Sequence, residues 1–253
     1  MINVMLHGCK GRMGCAIEKI IEDTDGMKVV CGIDKTVDGM EKYPTFSNIS
    51  DCNVDVDVVL DFSHYSAITT LLDYCVDKKL PVVIATTSLG SSEEAAVMCA
   101  SELIPVFYSF NMSLGINAIA EMFSKLVPIL EKDFDIEIIE KHHNKKKDSP
   151  SGTALLLADA VSENCENKKK YIFGRHGKED NRTRDIIGIH SIRGGTIPGE
   201  HSVIFAGEDE IIEIKHTALS RNIFAKGAVK AASFIVEQPK GLFSMRELVS
   251  PHR

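Results

Sequence analysis

The stretch INVMLHGCKGRMG, residues 2–14, decides the fold. Residues 2–6 read as a short buried strand that runs straight into His7-Gly-Cys-Lys-Gly-Arg-Met-Gly14, and residues 11–21 then follow a helical pattern. Glycines at 8, 11 and 14 permit a tight turn, close approach of backbone to a pyrophosphate, and close helix packing. The following helix turns its unsatisfied N–H groups and positive dipole end toward the phosphates. The spacing is G-x-x-G-x-x-G, with Lys10 where the common dinucleotide fingerprint has its second glycine. Taken alone, it also fits a plain strand–turn–helix connection.

Working outward, residues 28–33, 56–60, 82–85 and 105–108 read as further apolar strands, with helical patterns at 66–76 and 91–103. Apolar strands separated by helices imply a parallel sheet covered on both faces. The fold class expected is α/β: an N-terminal Rossmann-type doubly wound parallel sheet, followed by an α+β domain. In that second part a helix at 114–131 precedes a strand at 135–140, and another helix starts at Thr153. Strands at 185–192, 201–205 and 211–215 form a mixed or antiparallel sheet, joined by Gly-rich turns such as Arg193-Gly-Gly-Thr-Ile-Pro-Gly199. The last helix spans 223–237, and Lys168-Lys-Lys170 reads as a solvated loop.

The second strand ends in Cys31-Gly-Ile-Asp34, placing an acid 20 residues past Gly14, where the adenosine ribose is held in dinucleotide folds. Asp34 favours NAD because a carboxylate repels a 2′-phosphate; Lys35, with Lys10 or Arg12, favours NADP. Use of both NADH and NADPH is the expectation. Ala85-Thr-Thr87 and Ser109-Phe-Asn-Met112 follow two strand ends, where ligands bind in open α/β sheets. Thr86 and Thr87 equally fit as caps of the next helix.

The densest chemistry lies in Glu140-Lys-His-His-Asn-Lys-Lys-Lys-Asp-Ser-Pro-Ser-Gly-Thr-Ala154. Four lysines and two histidines fall within residues 141–147 of a chain whose formal net charge is −7. A basic loop feeding a helix N-terminus, with Ser151 as candidate N-cap, traps carboxylates. A small substrate with two carboxylates is expected. A histidine there supplies the proton that accompanies hydride transfer. The other histidines are dispersed and read as structural, and no metal site is assigned.

Composition sets the limits. The acidic balance argues against nucleic-acid binding, and no apolar run approaches the ~20 residues of a membrane span. The opening MINVMLHG shows no basic n-region, so no signal peptide is expected. Seven scattered cysteines without a C-x-x-C pair read as reduced thiols in a cytoplasmic protein.

The 140–154 segment resembles the E-x-H-H-x-x-K-x-D-x-P-S-G-T-A signature of the dihydrodipicolinate reductase family. It matches at Glu140, His142, His143, Lys146, Asp148, Pro150, Ser151, Gly152, Thr153 and Ala154. Gly8-Cys-Lys-Gly-Arg-Met-Gly14, Asp61-Phe-Ser63, Asn111-Met-Ser-Leu-Gly115 and His216-Thr-Ala-Leu-Ser-Arg221 look like further family segments.

The resemblance implies reduction of 4-hydroxy-tetrahydrodipicolinate in the diaminopimelate route to lysine. His142 matches the proton donor/acceptor and Lys146 the second proton donor; His143, Gly152 and Thr153 match the groups binding the substrate's carboxylates. Gly8, Cys9, Lys10, Gly11, Arg12, Met13, Asp34, Lys35, Ala85, Thr86, Thr87, Ser109, Phe110, Asn111 and Met112 match the nicotinamide-cofactor contacts. It further implies a dinucleotide domain over 1–113 completed by a C-terminal helix at 222–253. A substrate and oligomerisation domain then covers 114–221, with a homotetramer built through the second sheet. Ser88 stands where many members carry Gly, Asp34 where Glu is common, and Lys35 where Arg is. Two competing readings are another Rossmann dehydrogenase with an anionic substrate and a non-catalytic dinucleotide sensor.

Overall fold

The computed structural model describes residues 1–39, 42–178 and 182–250. The chain forms two compact units, Met1–Leu114 with Arg221–Arg253, and Gly115–Ser220. In chain order the elements begin β1 (Ile2–His7), α1 (Arg12–Glu22), β2 (Met27–Ile33), β3 (Thr45–Phe46), β4 (Val58–Asp61), α2 (Ile68–Lys78), β5 (Val82–Ile84), α3 (Ser91–Ser101) and β6 (Pro105–Tyr108). They continue with α4 (Leu114–Leu130), β7 (Asp135–His142), α5 (Gly152–Ser162), β8 (Lys170–Phe173), β9 (Ile186–Arg193), β10 (Glu200–Ala206) and β11 (Ile211–Thr217). The chain closes with α6 (Asn222–Ile235), β12 (Gly241–Phe243) and α7 (Met245–Val249).

The first unit is a seven-stranded sheet of order β12-β6-β5-β4-β1-β2-β3, and every pairing is parallel. Alternation along the strands sends Val4, Leu6, Leu60 and Phe107 to one face, against Ile17 and Ile21 of α1 and the small residues of α6. Met5, Val59, Ile84 and Val106 go to the other face, against Leu71, Leu72 and Val97 of α2 and α3. Strand order reverses at β1, which pairs with β2 on one side and β4 on the other. That crevice is where open α/β sheets bind ligands. The doubly wound sheet agrees with the expectation. The C-terminal segment is corrected: it is not one helix but α6, then β12 added parallel to β6, then α7. Residues 251–253 of the expected helix lie outside the described residues.

The second unit is a five-stranded sheet of order β11-β10-β7-β9-β8. It is mixed: β10 runs antiparallel to β7 and β11, while β9 runs parallel to β7 and β8. Ile136 and Ile138 of β7, Ile187 and Ile189 of β9, and Val203 and Phe205 of β10 face Phe123 and Val127 of α4 and Leu157 and Val161 of α5. The solvated loop expected at 168–170 is also corrected. Lys170 opens β8, and the largely buried Lys169 ammonium lies 3.6 Å from the equally buried Glu131 carboxylate.

α6 lies close to its own unit because Ala225, Gly227, Ala228, Ala231 and Ala232 are buried small residues. A Cβ on Gly227 would come within 1.7 Å of the Met112 carbonyl oxygen, so backbone would have to shift to admit even one methyl. Gly227→Ala is expected to cost about 1–3 kcal/mol of stability, the usual range for overpacking. Urea unfolding followed by circular dichroism measures this, and an unchanged midpoint would refute the close approach.

Candidate functional site

In the first unit, Gly8 adopts φ +82°, and a Cβ there would sit 2.6 Å from the Phe62 carbonyl oxygen. The turn after β1 is thus pressed against the loop after β4. A Cβ on Gly14 would meet the Gly8 and Cys9 carbonyl oxygens at 2.4 Å, so the first turn of α1 packs directly on this loop. The Lys10 N–H donates to Asp34 Oδ2 at 2.9 Å, fixing the turn at the place where the fingerprint usually has glycine. Gly11 is the N-cap of α1, which has neither a side-chain cap nor an acid in its first turn. These N–H groups fit a phosphate.

A cavity of about 520 Å³ runs past Gly8, Gly11, Asp34 and Lys35 to His64. Another of about 460 Å³ is lined by Arg12, Met13, Ala85, Thr86, Thr87, Phe110 and Met112, and both share Phe62 and Ser63. Bare glycine backbone, an open helix end and an acid at the second strand's tip fit a dinucleotide. The other expected cofactor residues do not line either cavity. Cys9 is buried below the turn against Gly32, and the Lys10 ammonium pairs with Asp38 at 2.8 Å. Ser109 donates from its hydroxyl to the Asn111 carbonyl, and Asn111 Oδ1 accepts the Ser113 N–H, shaping the loop.

Asp61, fully buried at the end of β4, ties these loops together. It accepts from the Thr86 hydroxyl at 2.6 Å and the Ser63 N–H at 3.2 Å, and lies 2.9 Å from His7 Nδ1. Neither Thr86 nor Thr87 caps α3; its N-cap is Gly90, whose N–H donates to Glu93. Ser88 adopts φ +63°, so it follows the left-handed path that a glycine takes freely.

In the second unit the period of two puts Ile136, Ile138, Glu140 and His142 on one face of β7. The isoleucines enter the core, and the last two side chains form a polar site at its edge. His142 Nδ1 lies 2.6 Å from Glu140 Oε2. Arg193, at the end of β9, donates to both Glu140 oxygens, Nη1 at 2.7 Å and Nη2 at 2.6 Å. The Ser151 N–H adds a bond to Glu140 Oε1 at 3.1 Å. Burial alone would raise the Glu140 pKa, but the Arg193 fork and His142 outweigh it and hold the carboxyl down at about 2. For His142, burial prevails over the pull of Glu140 and lowers its pKa below the ordinary histidine value.

Ser151 caps α5, its hydroxyl accepting the Ala154 N–H at 3.2 Å and facing His201 Nε2 at 2.9 Å. The Ser149–Pro150 peptide just before it is cis. Gly152 opens the helix with nothing within 4 Å of a Cβ position, and Thr153 follows. Lys146 lies 2.9 Å from Asp148, and His143 Nδ1 is buried without a hydrogen-bond partner. The site therefore combines a paired histidine, a lysine and the N-terminus of α5 within one unit. All five residues expected to handle substrate fall in this unit, and all fifteen expected cofactor residues fall in the other.

Three side chains of these two clusters carry little or no signal of their place in the sequence. Arg193 was read as the start of a turn, and His201 and His7 as structural histidines. The His201 ring meets His142 edge-on at a centroid distance of 5.2 Å, and burial followed by the charge of His142 lowers its pKa to about 4. Arg193 had one available signal, a cation closing an apolar strand. His201 and His7 had none without knowledge of pairing. No cluster of three or more metal-ligating side chains is present among the described residues, and no described helix is long and apolar enough to cross a membrane.

Residues 2–112 match the family described as "Dihydrodipicolinate reductase, N-terminus", and residues 115–249 match "Dihydrodipicolinate reductase, C-terminus". The chain is 50% identical to the 4-hydroxy-tetrahydrodipicolinate reductase of Clostridium tetani, over 97% of this chain and 96% of that protein. It is 47% identical to the enzyme of the same name from Caldanaerobacter subterraneus, over 98% of both chains. Its fold is shared with a dipicolinate-bound dihydrodipicolinate reductase from Paenisporosarcina, at a TM-score of 0.81 and 23% identity over 96% of this chain and 97% of that one. With both halves matched and its basic signature intact, the chain belongs to the dihydrodipicolinate reductase family.

Proposed function

We propose that this protein reduces 4-hydroxy-tetrahydrodipicolinate to tetrahydrodipicolinate, with NADH or NADPH as the reductant and water as the other product. The observation that carries the reading is the Glu140–His142–Arg193 cluster beside the N-terminus of α5. In this reading the unit of residues 1–114 and 221–253 holds the dinucleotide and residues 115–220 hold the dicarboxylate. When bound, a reduced nicotinamide would supply hydride chemistry at this site. Gly8, Gly11 and the first turn of α1 hold the pyrophosphate, Asp34 and Lys35 the adenosine ribose, and Thr86, Thr87 and Phe110 the nicotinamide end.

The chain's own work is to bind two carboxylates and to move protons at the substrate ring. His143, the open backbone at Gly152 and the Thr153 hydroxyl hold the carboxylates, with the helix dipole adding attraction. His142 transfers the proton, and Lys146 is the second donor. Rate enhancement comes from holding the reactants in place and stabilising developing charge. The protein works in the cytoplasm as a homotetramer. Ile192 and Ile211, 45% and 71% exposed, support association through the sheet face opposite α4 and α5.

The test is a coupled assay in which a synthase makes substrate from pyruvate and aspartate semialdehyde while NADH and NADPH oxidation are followed. Turnover is expected, and its absence with intact folding would reject the reading. His142→Ala is expected to lower kcat by about 10²–10⁴-fold, the usual contribution of a positioned acid. Thr153→Val should act mainly on KM. A His142→Ala variant with undiminished kcat would remove that residue from proton transfer.

Asp34→Asn keeps an acceptor for the Lys10 N–H and removes the charge that a 2′-phosphate would meet. The ratio of kcat/KM for NADPH over NADH is expected to rise by about tenfold, a 1.4 kcal/mol change. Parallel kinetics with the two cofactors measure it; an unmoved ratio would show that Asp34 does not select between them.

A further inference from the structure

Glu140 is fully buried, and the Arg193 fork and His142 keep its carboxyl charged. Its neighbours reveal what it does. An ionised carboxylate only accepts hydrogen bonds, so the proton lying between Glu140 Oε2 and His142 Nδ1 over their 2.6 Å contact belongs to the histidine. We propose that Arg193 and Glu140 are positioning residues that lock His142 as the Nδ1–H tautomer, so that every proton it gives or takes passes through Nε2. The inference rests on the reading of His142 as the proton donor.

The surroundings of Nε2 agree with this assignment. Gly199, with φ +150°, lies next to that nitrogen, and a Cβ there would come within 3.1 Å of it. The ring is thus bordered by bare backbone on the side where protons pass. On the opposite side Arg193 cannot swing away, because its Nη2 also donates to the Asp148 carbonyl oxygen at 2.7 Å. A two-pronged arginine contact fixes the plane of the carboxylate, and that plane in turn fixes the imidazole.

The charged and titratable groups facing His142 act in known directions. Glu140 on its own strand stabilises the imidazolium, while Lys146 from the loop and Arg193 from β9 oppose it. His201 from β10 stands edge-on to the ring, and burial keeps it neutral at pH 7. Asp148, paired to Lys146, offsets part of that lysine's charge. Removing Glu140 therefore lowers the His142 pKa, and removing Arg193 raises it.

The first experiment reads the unsubstituted site. Long-range ¹H–¹⁵N correlation on the full-length protein, with His142 assigned by its loss in His142→Gln, reports which nitrogen carries the proton of the neutral ring. Nδ1–H is expected, and Nε2–H would overturn the proposal. Then kcat–pH profiles and the His142 NMR titration are compared for the wild type, Glu140→Gln and Arg193→Met. In Glu140→Gln the fall of kcat on the alkaline side should move to lower pH by about one unit, a tenfold loss of the acid form. In Arg193→Met it should move the other way, with KM for the substrate within about threefold in both. Profiles that superimpose on the wild type, or that both move in one direction, would reduce the pair to a structural role. If the wild type shows no turnover the reductase reading falls, while the tautomer and titration still decide the positioning.

Discussion

The second unit depends on one buried charge. A carboxylate with no exposed surface costs several kcal/mol to desolvate unless its oxygens are bonded and its charge is matched. Glu140 meets both conditions through groups from three separate elements: His142 of its own strand, Arg193 of β9 and the N–H that precedes α5. This demand fixes register. His142 lies opposite Arg193 in the parallel β7–β9 pairing, and a slip by one residue would turn Arg193 to the outer face of the sheet. It also fixes where α5 begins, and with it the open backbone at Gly152. The start of α5 and the orientation of His142 are therefore set by the same ion.

The first unit repeats the device with different residues. Asp61 is fully buried at the tip of β4, and it gathers His7 from β1, the Ser63 N–H of its own loop and the Thr86 hydroxyl after β5. These three strands are neighbours at the switch of strand order. The tips of parallel strands offer backbone groups with no ladder partner, and a carboxylate there organises several loops at once. Both units thus place an acid at the end of a central strand and hold a histidine against it.

The fold class was legible because apolar strands and amphipathic helices alternate clearly up to residue 162. What stayed hidden has physical causes. β3, with two residues, and β12, with three, are too short to carry a period. β8 opens on a lysine run, and only the distant Glu131 makes Lys169 a buried partner. At the site, His142 and Lys146 stood out through a dense local motif. Arg193 lies 53 residues beyond Glu140, and His201 lies 50 residues beyond Ser151. Their roles come from sheet pairing, which no local pattern encodes.

The departures from the family pattern at the cofactor end follow the same logic. Ser88 occupies a left-handed conformation at φ +63°, costing roughly 1–2 kcal/mol for a residue with a side chain. The surrounding contacts hold it there: the Ala85 N–H donates to the Asp61 carbonyl at 3.0 Å, Thr86 is tied to the Asp61 carboxylate, and Gly90 to Glu93. The loop's path is therefore imposed from both ends, and a serine is tolerated where a glycine is easier. At the turn after β1, Lys10 stands where the common fingerprint has glycine, and its N–H donates to Asp34. The carboxylate at the tip of β2 thus braces the glycine turn after β1. A change at Asp34 therefore acts on the shape of the turn as well as on the charge at the end of β2.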